Sequence, residues 1–228
     1  IIDSGCCNYD EPELVTWYRT TRAHNTVVID GRTEAATSSS ALWVPRRETP
    51  NRITGWNPGG EAPSIVMASP PEEVTNGSVS WRRKITIVRG CFAVISDRFD
   101  TEGEHNYEIL LHFPPSEVTA DQNGKSLQVK TGILTGIQAV VPAGNGVFVT
   151  GKGLVSIRGR SVEAPVASLN LRARGKITSH LLIMPSPDME STPAVKTTTR
   201  KGITRVTVRN STGTRTRIIL SDDGVMTV

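Results

Sequence analysis

Helix-forming stretches are what this sequence lacks most. Runs rich in Leu, Ala, Glu and Lys are missing from its 228 residues, whereas Thr, Ser, Val, Gly and Pro abound. That balance favours strands and turns. No apolar run approaches the roughly 20 residues needed to cross a bilayer as a helix, so no membrane partner is expected. There is no C-x-x-C pair, which argues against a cysteine-held zinc site. P-loop, G-x-S-x-G, H-E-x-x-H and G-x-G-x-x-G sets are missing too, and with them the nucleotide, serine-hydrolase, zincin and dinucleotide chemistries they carry. Charge of one sign is in modest excess: 26 Lys and Arg stand against 22 Asp and Glu, a net +4. This is too little for a nucleic-acid arm, and no nucleic-acid partner is expected. It suits an acidic polymer as substrate, and equally it suits ordinary solubilising charge. The three cysteines are Cys6, Cys7 and Cys91. Adjacent strand residues point to opposite faces, so either Cys6 or Cys7 could pair with Cys91, or all could stay free thiols. The chain also begins without Met or a signal sequence, and is read as a piece of something larger.

What recurs is a short apolar run closed by a turn. Strands are expected at Thr26–Asp30, Ala41–Arg46, Ile53–Trp56 and Ile65–Ala68. A hairpin follows over 79–99, turning at Arg89-Gly90, and then Tyr107–Phe113, stopped by Pro114-Pro115. After the turn Asp121–Gly124 come segments at 126–134, 136–144, 146–151 and 154–160. Two more hairpins are read, one about Gly175 and one about Asn210–Gly213. Pro185–Lys201 reads as a loop or a crossing between sheets. Many short strands with regular turn signals and no fixed repeat predict one all-β domain over 1–228, a large antiparallel two-sheet β-sandwich. A chain of this length buries roughly 70–75% of its unfolded surface and needs no disulfide or metal to fold.

Four histidines are candidates for chemistry. His180, in an apolar strand, reads as structural; His112 could face either way; His105 follows Gly103-Glu104 in a turn and is expected to be exposed. His24 has different company. Asn25 follows it, Arg19, Arg22, Trp17 and Tyr18 precede it, and the apolar run Val27–Ile29 leads from it to an Asp30-Gly31 turn. Upstream, Ile1–Gly5 reads as the end of a buried strand entering a turn. A His and an Asn at the mouth of a strand, beside arginine and flat aromatic rings, make a set that binds an acidic sugar: Arg pairs with a carboxylate, the ring covers a pyranose face, and His moves protons or ligates a metal. Alternatively, His24 and Asn25 satisfy strand-end backbone groups and nothing more. The basic sets Arg46-Arg47, Arg82-Arg83-Lys84, Arg172/Arg174/Lys176 and Arg215/Arg217 alternate with apolar residues, which places them on outer strand faces; a solvated face is the default reading, edge protection by charge a second, and a polyanion track a third, weakly signalled one.

Asp3-Ser4-Gly5, Tyr9 and the run Tyr18–Gly31 (YRTTRAHNTVVIDG) closely resemble the heparinase II/III-like polysaccharide lyases. Trp81-Arg82-Arg83, Val94–Phe99, His105 and His112-Phe113 also look like that family's C-terminal region. The resemblance implies a β-sandwich preceded by an N-terminal α/α toroid that this chain lacks, with the cleft between the two. It implies cleavage of uronic-acid glycans by β-elimination, in a bacterial periplasmic or secreted enzyme, with a cytoplasmic one less in keeping. It further implies that Asp3 and His24 match two ligands of a divalent metal site, zinc or calcium in the intact enzyme, and that the site is incomplete and unfilled in this chain alone. Trp17 or Tyr18 would correspond to an aromatic residue reaching the cleft. Glu34 stands where the family often has Gln. The expected partners are an acidic polysaccharide or oligosaccharide and the toroid. Two other functions fit the residues: a non-catalytic module binding acidic carbohydrate, and a structural or assembly sandwich.

Overall fold

The structure, a computed structural model, describes residues 1–6, 14–32, 51–74, 77–88, 90, 92–130, 136–140, 146–186, 194–200, 203–209, 213–221 and 224–227. The expected strand at Ala41–Arg46, along with Tyr9, Glu34, Cys7 and Cys91, lies outside these residues. Cys6 is a free, exposed thiol.

Antiparallel strands make up three sheets. The first has four strands in the order β1 (Val27–Ile29), β7 (Glu104–His112), β12 (Arg160–Arg174) and β11 (Val147–Ile157). The second has nine. Eight run in the order β2 (Arg52–Asn57), β3 (Ser64–Ala68), β5 (Gly77–Val88), β6 (Phe92–Thr101), β13 (Ile177–Ser186), β10 (Gly136–Val140), β9 (Ser126–Lys130) and β8 (Glu117–Ala120); β4 (Glu72–Val74) pairs with β5. The third orders β14 (Ala194–Arg200), β15 (Ile203–Arg209), β16 (Arg215–Ser221) and β17 (Gly224–Thr227). Among the described residues helix is limited to a π-type turn, Leu14–Tyr18, and a 3₁₀ turn, Thr21–Ala23.

Two cores hold these layers together. Val27, Ile29, Tyr107, Ile109, Leu111, Phe148 and Leu169 of the first sheet meet Val79, Phe99, Leu127, Val129 and Leu181 of the second. On the far side of the second sheet, Val88, Phe92, Val94, Leu182 and Met184 meet Val206, Val208, Ile218 and Leu220 of the third. The alternation within β6 divides its residues between the cores, Phe99 to one and Phe92 and Val94 to the other. A sheet covered on both faces needs apolar residues at successive positions, which is why Phe92–Ile95 and Leu181–Met184 are unbroken apolar runs.

The β-sandwich is as expected from the sequence, with a third sheet added. Its first strand, β14, falls inside Pro185–Lys201, the stretch read as a loop or a crossing between sheets; the stretch does join the second sheet to the third, and part of it is strand. Only Val195 of that strand is a half-buried apolar residue, so the two-residue period that reveals a strand is nearly silent there. The segments read separately at 146–151 and 154–160 are mostly one strand, β11, running through Gly151 and Gly153. Ile1–Gly5 is not a buried strand: Ile1 and Ile2 are exposed, tied to the first sheet by the Ile2 amide donating to the His112 carbonyl (2.9 Å).

Candidate active-site wall

The site is built on the outer face of the first sheet. Strand β1 is only three residues long, and the chain before it folds back in two tight turns. Backbone amides of Thr20, Ala23 and His24 donate to the carbonyls of Trp17, Thr20 and Thr21. Asn25 then acts as a clamp. Its Nδ2 donates to the Ile2 carbonyl (2.7 Å) and its Oδ1 accepts the His112 amide (2.8 Å), so one side chain fastens the first residues of the chain to β7.

That clamp brings Asp3 to His24. Asp3 Oδ2 lies 2.8 Å from His24 Nδ1, and Asp3 Oδ1 accepts the Gly5 amide at 2.9 Å. Burial alone would raise the Asp3 pKa; the bonds from His24 and Gly5 and the charge of the nearby imidazoles outweigh it and hold the carboxyl below its ordinary value. An ionised Asp3 fixes the proton on His24 Nδ1, leaving Nε2 as the nitrogen with a lone pair. His112 is fully buried and donates from Nε2 to the Arg22 carbonyl (2.9 Å), while its Nδ1 is buried without a partner. Burial lowers the His112 pKa against the opposing pull of that carbonyl, which favours its neutral form. The edge of Trp17 meets the His112 ring at 6.4 Å between centroids.

Beneath Asn25 is a buried ion pair. Arg83 Nε and Nη2 bond to the two oxygens of Asp97 at 2.7 and 2.9 Å, Trp81 Nε1 donates to Asp97 Oδ1, and Arg83 Nη1 reaches the Asn25 carbonyl at 2.6 Å. Arg83 was expected on a solvated face with Arg82 and Lys84, and here the structure corrects the sequence. Residues 82 and 84 do face outward, but 83 faces the first core, where only its match to Asp97 across the strands makes burial tolerable. Beside the clamp Arg22 forms a two-bond pair with Glu108 (2.9 and 2.7 Å). These two residues line a pocket of about 170 Å³ with Trp17, Gly151, Lys152 and Val166. A wider depression of about 470 Å³ adjoins it, sharing Thr150, Gly151 and Lys152.

The candidate residues therefore separate into groups. Asp3 and His24 are brought together at the surface. Trp17 is half-buried on β11, its Nε1 donating to the Leu154 carbonyl, and it walls the pocket. Arg19 is half-exposed. Asn25 does what the plainer reading held, satisfying backbone groups. Tyr18 departs from expectation: it is 3% exposed with its hydroxyl donated to Ser161, so no ring face is open to a sugar. His105 is another correction. It is buried, not exposed, because Asp30, in the left-handed region at φ 51°, turns its carboxylate onto His105 Nδ1 (2.7 Å) and the Asn106 amide. Glu108 was missed by sequence reasoning; its place opposite Asn170 and beside Arg22 depends on strand pairing alone. Among the described residues no group of three His, Cys, Asp or Glu is arranged to hold a metal. Asp3 and His24 are two donors where structural zinc takes four, so these residues do not by themselves make a metal site.

The family description "Heparinase II/III-like, C-terminal" matches residues 1–198. This chain belongs to the heparinase II/III-like family. A search of curated protein sequences gives no match. Solved structures similar to this heparinase II/III-like chain include a mutant of the heparan sulfate lyase HepC from Pedobacter heparinus, 16% identical, with TM-score 0.73 over 99% of this chain and 34% of that one. A heparinase III gene product is 17% identical, with TM-score 0.70 over 96% of this chain and 34% of its own. At such identities the likeness concerns the fold. The heparinase II/III-like chain spans about a third of the length of these proteins.

Proposed function

We propose that this chain is the sandwich half of a polysaccharide lyase that cleaves uronic-acid glycans by β-elimination, and that it forms one wall of the cleft. The observation that carries the reading is the Asp3–His24 pair, set at the surface by the Asn25 clamp next to Trp17 and Arg22 in a chain of this family. β-Elimination removes the proton at C5, next to the uronate carboxylate; the C4–O bond then breaks and the departing sugar takes a proton. The developing enolate needs its charge met where it forms. A histidine held in one tautomer by a carboxylate can accept a proton at Nε2 or hydrogen-bond the uronate. Arg19 offers a cation for the carboxylate and Trp17 an apolar edge, while Arg22 positions the wall through Glu108. Asp3 and His24 would give two ligands to a divalent ion, zinc or calcium, with the rest coming from outside these residues.

The toroid would provide the other wall, and the parent enzyme would work in a bacterial periplasm or outside the cell. The test is the ultraviolet absorbance of unsaturated uronate on incubation with heparan sulfate, hyaluronan or alginate. The chain alone should produce none. Joined to the remaining two-thirds of the enzyme it should produce it, and His24→Ala should lower the rate by about a hundredfold or more. Product from the isolated chain, or full activity in the His24→Ala enzyme, would sink the proposal.

A further inference from the structure

The third sheet carries a feature that the cleft does not use. Residues 191–221 include seven Lys and Arg and no Asp or Glu. Pairing sorts them by face. Val206, Val208, Ile218 and Leu220 point into the second core, so the alternate positions form the outer face of the molecule. There stand Lys196, Arg200, Arg205, Arg209, Arg215 and Arg217, every one exposed. Arg209 lies directly opposite Arg215, and Lys196, Thr207 and Arg217 form one transverse row. No ion pair neutralises any of the six among the described residues. Like charges facing each other across a ladder, as Arg209 and Arg215 do, destabilise a sheet, and residues 191–221 hold no acid to offset them. β15 and β16, which bear four of the six, lie beyond residue 198, where the family match ends. The second sheet and both cores separate this face from His24.

We infer that the outer face of the third sheet is a second binding surface for an acidic polysaccharide, distinct from the cleft. Charge complementarity names the occupant: directly opposed positions such as Arg209 and Arg215 lie about 5 Å apart, and Lys196 and Arg217, with Thr207 between them, about twice that, an array of cations that serves a chain of repeating carboxylates or sulfates. Threonines between them (Thr198, Thr207) offer hydroxyls for hydrogen bonds, and no aromatic ring is present on β14–β16 for stacking bases. The choice of a glycan over other polyanions rests on the lyase reading; the cationic face does not. Such a surface would hold the enzyme on its polymer between cleavages.

The experiment is calorimetric titration of the chain with a size-defined heparin oligosaccharide at several salt concentrations. Arg205→Thr/Arg209→Thr/Arg215→Thr/Arg217→Thr keeps strand-favouring residues on an exposed face, and an unchanged circular dichroism spectrum verifies its fold. Should that variant fail to fold, Lys196→Thr/Arg200→Thr on the edge strand replaces it. The expected result is binding that weakens by at least about tenfold in the quadruple variant, with a shallower dependence on salt. Equal binding by wild type and variant overturns the proposal. So does equally tight binding of a single-stranded oligonucleotide or of phosphatidylserine vesicles, which would mark a general polyanion surface. Loss of the lyase reading shows instead in the uronate assay, and leaves this titration standing.

Discussion

Removing Arg83 should cost more than removing any other cation of this chain, and the structure says how much. Its side chain is 6% exposed and that of Asp97 1%. Arg83→Met leaves the Asp97 carboxylate buried with only Trp81 Nε1 as donor and takes the Nη1 bond from the Asn25 carbonyl. Breaking one side of a buried pair costs about 3–5 kcal/mol. For a chain of this size each kcal/mol moves the thermal midpoint by roughly 2–4 °C, so a fall of about 10 °C is expected. In Arg83→Met/Asp97→Leu the stranded charge is gone. What remains are the losses of a donor for Asn25 and an acceptor for Trp81, about 1 kcal/mol each. The double variant should therefore cost only about 2 kcal/mol and be more stable than Arg83→Met. Urea unfolding followed by circular dichroism measures all four species. A single-variant cost under about 1 kcal/mol, or a double variant no better than the single, would refute the view that the pair is held by mutual neutralisation in a dry site.

Gly153 bears on the site in another way: a Cβ added there would sit 2.5 Å from Trp17 Cζ2 and 2.6 Å from Val166 Cγ2. Gly153→Ala should push Trp17 off β11, costing about 1–3 kcal/mol and shifting its fluorescence to the red; an unmoved emission spectrum would contradict the packing. The Asp3–His24 pair should show itself through pH. The folded Asp3 pKa is lowered, so as pH falls the unfolded chain gains the proton first; the stabilisation is complete above the ordinary carboxylate value and is lost as pH falls through the folded one. Asp3→Asn should accordingly unfold at a lower temperature than wild type near neutrality, and at the same temperature only once the pH has fallen below the folded Asp3 value, which lies under the ordinary carboxylate one; a gap that persists in still stronger acid would mean that charge is not the source.

Much of the site was legible because its residues are neighbours in sequence. His24, Asn25 and Arg22 stand together before an unmistakable apolar run, and the family resemblance singles out Asp3. Their division of labour was not legible. Asn25 and Tyr18 have the residue types of a sugar site, yet the structure spends one on backbone groups and the other on Ser161. Arg83 sits between two outward-facing cations and differs from them only in having Asp97 across the strand.

The sequence alone determined the all-β class, the central hairpins and the family, since each is written in local periodicity, turn residues or a contiguous motif. Tertiary structure decided which strand faces are covered. It buried Arg83, His105 and His112, turned Asp3 toward His24, and added a third sheet whose edge strand scarcely alternates. It also gathered six cations from three strands onto one face. The physical reason is that a strand has two faces, and which one meets solvent depends on partners far away in the chain.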